Sequence, residues 1–578
     1  MDWGYLMKHV IDIETDHLNA KKIWVVCSKT IGKNEVHVHK TKEEFLSHGF
    51  DFDNDVFIGH NAVEFDFPVL KRLWNVDIKK AEDTLIMSRL FVPDREGGHS
   101  LESWGCKLGI SKLKFIDFEK LSEKMIEYCK RDVEITYKIY SILIQEGKDF
   151  SQQSIDLEHN IADIISRQSK YGFYLNKQKT FELINKTQSK ANEIERNTTK
   201  YFPPKVKVIR KDLPKYTKKG VMSKVGLAGF DYKDVAGPFW KIEFQPFNIA
   251  SHKQIVERMN EAGWKPIDLT PKGSPKVNET NLATLPETAP EPARKLSEWK
   301  MLTNRWKTAE SWLDALGDDG RVHGKVFTLG AVTGRMTHND PNMANVVAVD
   351  KPYGKESRDC WSSPNDSFRI VGMDAQGLEL RMLAHYMNDA DYTKEVLSGD
   401  PHNVTMQALG IDDRKLAKTF FYAFVYGASP TKLGSILGVS PVQGKILKDQ
   451  FLKNVPSLGA LLSKVEDAAS RGYIRGLDGR RLYVRHAHAA LNTLLQGGGS
   501  IVCKQWSVNM DRSIRSEKLK ANLVNTVHDE LQYESHADDA KRLVELSSLT
   551  IKEAGRMLNL RLPMDAEAKI GMSWADTH

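Results

Sequence analysis

SFRIVGMDAQGLELRMLAHYM, residues Ser367–Met387, is the stretch on which the reading of this chain turns. Phe368–Met373 is an apolar-rich strand, Asp374 stands at its end and Ala375-Gln376-Gly377 makes the turn. From Leu378 the apolar residues recur with the period of a helix that buries one face, which puts Glu379 in the first helical turn. An acid at a strand end is most often a cap or a turn residue. A second acidic tip downstream changes that reading. In NLVNTVHDELQYE, Asn522–Val527 predicts a strand, His528-Asp529 a tight turn and Glu530–Glu534 the returning strand. Two such tips, brought together, can hold divalent metal.

Around these tips the chain is 578 residues long, too long for one core, and its length predicts three to four compact units. Its hydrophobic fraction of 41% is that of a globular protein, and no run reaches the roughly 18 apolar residues that cross a bilayer, so a soluble chain with no membrane partner is expected. The opening MDWGYLMKHVIDIE lacks the pattern of a signal peptide. Cys27, Cys106, Cys129, Cys360 and Cys503 are scattered without a C-x-x-C pair, which argues against a disulfide framework or a structural zinc and for buried thiols in a reducing cytoplasm. A net charge of +7 is mild and permits an anionic partner.

The first unit opens with strands at Val10–Ile13, Ile23–Cys27, Val36–His39 and Val56–Gly59. Asp12 and Glu14 are two apart in the first of these, so both leave the same face. Acids bracketed by Val10, Ile11 and Ile13 are costly to bury without a cation. HNAVEFD then places Asp66 at the entry to a helix, and in IEYCKRDVEIT Tyr128 and Asp132, four apart, share a helix face. The pattern D-x-E, H-N-x-x-x-F-D, Y-x-x-x-D resembles the DEDD 3′–5′ exonuclease superfamily in its tyrosine variant, with an RNase H-like fold. The resemblance implies Asp12, Glu14, Asp66 and Asp132 as metal ligands and Tyr128 as the residue that positions the attacking water.

From Leu157 the pattern is helical, through SQQSIDLEHNIADIISRQSKYGF and Lys177–Thr199, and predicts an extended arm. Residues 201–247 change character: over 205–224, Lys205, Lys207, Arg210, Lys211, Lys215, Lys218, Lys219 and Lys224 meet only Asp212, which predicts a loop-rich basic insertion able to follow phosphates. GAVTGRMTHNDPN then supplies a Gly-rich turn with Arg335. In DDRKLAKTFFYAFVYGAS, Arg414, Lys418, Tyr422 and Tyr426 stand four apart, a slowly winding stripe with cations at one end and phenols at the other. Such a stripe suits a molecule with phosphates at one end and a flat base at the other, a nucleoside triphosphate.

VTGR, DAQGLELR, R-x-x-x-K-x-x-x-Y-x-x-x-Y-G, GLDGRRLYVRHAHAALNTLLQ and VHDE, in this order behind the exonuclease motifs, resemble the family-A DNA polymerases, and within them the replicative enzymes of short-tailed, T-seven-like phages. The resemblance implies a multidomain α/β protein: exonuclease over 1–147, mainly thumb helices over 148–329 with the basic insertion at 201–247, a first part of the palm over 330–400, fingers over 401–470 and the rest of the palm over 471–578. Asp374 and Asp529 would hold two Mg²⁺, Mn²⁺ being chemically acceptable, with the Ala375 carbonyl as a further ligand and Glu530 beside the primer end. Arg414, Lys418 and His402 would contact phosphates, Lys418 doubling as proton donor to pyrophosphate. Glu379, bonded to Tyr426, would press on the sugar 2′ position. Tyr422 would stand where its hydroxyl can replace the missing one of a dideoxynucleotide. Arg335, Asn492, Gln496 and His528 would read the minor-groove edge at the primer terminus.

The implied substrates are primer-template DNA and dNTPs, and the implied partners a phage helicase-primase and single-stranded DNA-binding protein, in the cytoplasm of an infected bacterium. The insertion is shorter than in the phage type, which argues against recruitment of a thioredoxin-type processivity factor. Asn345 and Val347 depart from the family pattern, and no role is carried to them. A bacterial-type repair polymerase is the near alternative, opposed by the intact exonuclease acids. A phage RNA polymerase is opposed by Glu379 and the exonuclease, and a nuclease with a DNA-gripping C-terminal part by the Asp374–Asp529 pair.

Overall fold

Strict alternation in the first strand decides which way its acids face. In the computed structural model, which describes residues 7–224 and 237–578, β1 (Lys8–Thr15) is the middle of a sheet with β2 (Ile23–Thr30), β3 (His37–His39), β4 (Val56–Gly59) and β5 (Lys80–Asp83), in the order β3-β2-β1-β4-β5. β1 runs antiparallel to β2 and parallel to β4. Ile11 and Ile13 pack with Val69 and Leu70 of helix α1 (Asp66–Trp74), while Val10 joins Met125, Cys129 and Val133 of helix α3 (Glu123–Glu146); between them in sequence lies α2 (Thr84–Phe91). Asp12 and Glu14 share the parity of Val10, so the sheet aims both at α3.

Helix α4 (Gln152–Tyr171) does not belong to an extended arm. Its Leu157, Ile161, Ile164 and Ile165 enter the largest apolar core, together with residues of the Ser367–Met387 stretch. Its Glu158 is fully buried and takes Lys504 at 2.7 and 2.9 Å and Arg480 at 2.5 Å, while Arg480 also pairs with Asp478 at 2.6 Å. The other side of α4 holds the N-terminal sheet layer: His159 Nε2 accepts from the Asp83 amide at 2.7 Å, and Lys170 Nζ donates to the Glu64 carbonyl at 3.1 Å. A helix so tied on two sides leaves the N-terminal part and the C-terminal half in one compact unit, Met1–Leu175 with Ala315–His578. Two units result, not three to four.

The second unit is Asn176–Asp314. The helical segment is therefore narrower than 148–329, because residues up to 175 and from 315 pack with the first unit. Helices α5 (Lys177–Tyr201) and α6 (Leu296–Asp314) lie against each other in it. Within the basic insertion β6 (Lys205–Asp212) and β7 (Phe239–Gln245) pair antiparallel, most of its other described residues are loop, and residues 225–236 lie outside the described part. Its alternation is hidden in the sequence by the lysines that share the strand with Val206 and Val208.

The second sheet has the order β9-β10-β8-β11, built from β8 (Phe368–Ala375), β9 (Ala521–Val527), β10 (Glu530–His536) and β11 (Ala566–Gly571), all neighbours antiparallel. Helix α7 (Leu378–Met387) follows β8 through Gly377, whose φ of 57° is the left-handed turn expected of Ala375-Gln376-Gly377. Helices α8 (Pro401–Leu409) and α9 (Arg414–Val425) follow, and α10 (Ala490–Ser516) packs on α11 (Ala540–Met557). Among the described residues no helix is long and apolar enough to cross a membrane. Four cysteines are buried as expected, and Cys106 is exposed.

Candidate active sites

Four carboxylates meet under α3. Ligand atoms of Asp12, Glu14 and Cys129 lie within 4.8 Å of one another. Asp66, in the first turn of α1, accepts from the Ile13 amide at 3.2 Å, so β1 itself holds it beside its own acids. Asp132 has Oδ2 2.7 Å from Lys112 Nζ, while its buried Oδ1 has no partner among the described residues. Tyr128, one turn earlier on α3, is half-buried against Phe115 and Phe118.

Burial, then the mutual repulsion of the acids, pushes Glu14 up to about 9 and Asp12 well above the carboxylate range. Burial also carries Asp66 to about 7. Carboxylates that resist ionisation for lack of counter-charge, with one oxygen left unpaired, fit divalent metal. Sequence reading assembles these acids and the tyrosine but misses Lys112 and Cys129. Cys129 adjoins Tyr128 in the same motif, and Lys112 carries no signal of its own.

The second site is where the two acidic tips meet. The Ala375 amide donates to the Asp529 carbonyl at 3.1 Å, and Asp374 stands opposite Glu530 on one side and Glu567 on the other. Solvent still reaches Asp374, yet its enclosure, followed by Asp529, Glu530 and Glu567, pushes it up to about 7. Asp529 is raised too, burial being the largest cause. Glu530 differs. It is buried, but it accepts from Gln532 Nε2 at 2.5 Å and from Trp574, with His578 at 3.0 Å and Arg358 at 3.8 Å, and these partners outweigh burial and hold it below its ordinary value. Glu567 has no signal in the sequence, since only its place opposite Asp374 marks it.

Arg414 and Lys418 are exposed on α9, which Asp413 caps, Tyr422 is half-buried, and Tyr426 falls just past the helix end. Arg414 is engaged by Asp400, the capping residue of α8, through two hydrogen bonds. His402, in the first turn of α8, is buried with its ring 6.1 Å from those of Phe421 and Tyr422, and its Nδ1 has no partner among the described residues. The Tyr426 hydroxyl donates to Glu379, whose other neighbour is Arg335 at 3.4 Å. His528 and Arg335 both face Asp529 and act against its rise. Asn492 and Gln496 are half-buried on α10, Asn492 with an unpaired Oδ1, which is not the dress of a solvated polar stripe.

Residues 231–576 match the family described as DNA polymerase family A. The chain belongs to DNA polymerase family A. Ahead of that match, residues 10–148 of the polymerase match a 3′–5′ exonuclease domain. The polymerase is 29% identical to the DNA-directed DNA polymerase of Enterobacteria phage T3 over 90% of this chain and 92% of that one. The figures are the same for the enzyme of Escherichia phage T7. The polymerase domain of Pol1 from M. smegmatis, solved with DNA primer-template and dNTP, shares the fold at a TM-score of 0.79 and 18% identity, covering 100% of this chain and 96% of that chain. The polymerase is a DNA-directed DNA polymerase with a 3′–5′ exonuclease domain, and both activities are metal-dependent.

Proposed function

We propose that the Asp374–Asp529 pair is the synthetic centre and the Asp12 cluster the proofreading centre of a phage replicative polymerase. The observation that carries this reading is the convergence of two separate sets of carboxylates, each raised first by burial and then by its own neighbours. Asp374, Asp529 and the Ala375 carbonyl would hold two Mg²⁺, and Asp12, Glu14, Asp66 and Asp132 two more, Mn²⁺ being an acceptable substitute. Metal bound there would lower the pKa of the primer 3′-hydroxyl or of the attacking water and stabilise the leaving oxygen.

The chain's own side chains do the rest. His402, Arg414 and Lys418 receive the triphosphate, Lys418 giving a proton to the departing pyrophosphate. Glu379 and Tyr426 select the sugar, Tyr422 lines its 3′ side, and Arg335, Asn492, Gln496 and His528 test the minor-groove edge. Glu530 lies next to the metal pair and ties it to the Trp574 and His578 end of the sheet. Tyr128 orients the water of the exonuclease.

The substrates are primer-template DNA and dNTPs, in support of phage genome replication in the bacterial cytoplasm beside a helicase-primase and a single-stranded DNA-binding protein. The domain limits that fit are exonuclease to 147, palm 330–400 and 471–578, fingers 401–470 and a thumb confined to 176–314. Extension of a recessed primer with dNTPs and its shortening without them test both centres. Asp374→Asn is expected to abolish only extension and Asp12→Ala only shortening; a variant that loses both, or neither, overturns the division.

A further inference from the structure

The exonuclease cluster contains a basic side chain that neither the motif nor the family assignment calls for. Lys112 lies in the segment between helix Leu101–Lys107 and α3, and its Nζ stands 2.7 Å from Asp132 Oδ2 and 4.9 Å from the centre of the Tyr128 ring. Its charge bears on Asp12 and Glu14 as well as Asp132. Other lysines on the surrounding elements are turned elsewhere, Lys29 to Glu134 and Lys130 to Glu127. A lysine serving only as a surface ion pair would need one acid; this one is shared by an acid and a phenol of the same site.

Two consequences follow from that position. By taking Oδ2, Lys112 leaves Asp132 with a single buried free oxygen, Oδ1, and so fixes which oxygen is available to metal. By standing over the Tyr128 ring, its ammonium limits where that phenol can swing. Charge gives a third. Four ionised acids offset two divalent ions, so the loaded centre would be neutral without Lys112 and carries one positive charge with it, the complement of a phosphodiester.

We propose that Lys112 is a positioning residue of the 3′–5′ exonuclease centre, holding Asp132 and Tyr128 in their working orientation and supplying the charge that admits the scissile phosphodiester. This rests on the assignment of the Asp12 cluster as the exonuclease.

The test uses the full-length protein with Lys112→Met, which keeps the aliphatic length, Lys112→Arg, and Asp12→Ala as control. Three quantities are read: single-turnover removal of a 3′ nucleotide at saturating Mg²⁺, primer extension, and Mn²⁺ affinity by electron paramagnetic resonance in an Asp374→Asn background. Removing a positive charge from among acids should tighten Mn²⁺ binding by about fivefold to tenfold, while loss of the oriented phenol and phosphate charge slows hydrolysis by at least about thirtyfold. Lys112→Arg should restore most of the rate, and extension should be unchanged. Hydrolysis within threefold of the parent overturns the proposal. So does a joint fall in rate and Mn²⁺ affinity, which marks a merely structural lysine. If Asp12→Ala still hydrolyses, the exonuclease assignment itself has failed instead.

Discussion

The hydroxyl of Tyr426 donates to both carboxylate oxygens of Glu379, at 2.9 and 3.1 Å, across 47 residues of sequence. With Arg335 at 3.4 Å on the same carboxylate, Glu379 is held from the end of α9 and from the Gly-rich turn at once. A pinned acid cannot step aside for a ribose hydroxyl. Glu379→Ala is therefore expected to raise the kcat/KM ratio of ribonucleotide to deoxynucleotide by roughly a hundredfold, and Tyr426→Phe, which frees the acid without removing it, by less. An unchanged ratio in Glu379→Ala would take sugar choice away from this pair.

Arg414 is held before any nucleotide arrives. Asp400 takes two hydrogen bonds from its guanidinium while capping α8 through the His402 amide at 3.1 Å. A triphosphate must win Arg414 from that carboxylate. Asparagine caps a helix as well as aspartate does, so Asp400→Asn should keep α8 and release the arginine. The expected result is nucleotide Kd lowered about twofold to fivefold, since a solvent-exposed ion pair is weak, with the opposite change in Arg414→Ala. Equal affinity in Asp400→Asn and the parent would show that Arg414 does not meet the phosphates.

The raised carboxylates set a pH dependence whose sign is fixed. Glu14 at about 9, Asp66 at about 7 and Asp374 at about 7 all bind protons in the folded chain that they would release unfolded. Their contribution is full below pH about 4 and is lost as pH rises through 7 and then 9. Metal replaces those protons. In thermal melts, the gain in Tm on adding Mg²⁺ should therefore be larger at pH 8 than at pH 6, and the metal-free protein should lose Tm over that interval by comparison with an Asp12→Ala, Asp374→Ala variant. Asp374, which solvent reaches, contributes the smaller part. A Mg²⁺ effect equal at both pH values would refute the link.

Much of both centres is legible in the sequence because each motif is local. D-x-E on one strand, Y-x-x-x-D on one helix and an acid at a hairpin tip each fix their own geometry through a period of 2, 3.6 or a turn. What local pattern does not contain is who sits opposite. Lys112, Glu567 and the partners of Glu530 reach the sites from separate segments, and Asp400 meets Arg414 only when α8 and α9 pack. The helix at 152–171 is read from the sequence, but its place in the core is not, for the same reason: its apolar stripe promises burial, but its Glu158 looks like solvent-facing charge until Lys504 and Arg480 come to meet it. In 201–247 the lysine count outweighs an alternation that β6 shows plainly.

That buried charge is expensive to leave unmatched. Glu158 is fully enclosed with Lys504, Arg480 and Asp478, two acids against two bases. Glu158→Gln leaves one buried cation in excess, and is expected to destabilise the first unit by roughly 3–5 kcal/mol. Urea unfolding followed through Trp506, whose indole donates to Ser547 beside the same helix, reads the change. A loss under about 1 kcal/mol would mean that water relieves the site.

The hairpin of the second unit separates its chemistry by face. Val206, Val208, Trp240, Ile242 and Phe244 share one side, each about half exposed or more, at 47 to 65%, and Lys211 is the one basic residue among them, lying over the Trp240 ring. Lys205, Lys207, Arg210 and Lys241 share the other with Glu243 and Asp212. The basic face can meet phosphates without involving the apolar one. Lys207→Gln, Arg210→Gln and Lys241→Gln together should shorten products per binding event, and should lessen the slope of log affinity for DNA against log salt by about 0.9 for each phosphate the variant no longer neutralises. The rate at saturating DNA should not change. Added thioredoxin should leave product length as it was. A thioredoxin-dependent gain that survives the three substitutions but disappears in Trp240→Ser, Phe244→Ser would instead make the apolar face the seat of a processivity factor and remove the need for direct DNA binding by the basic one.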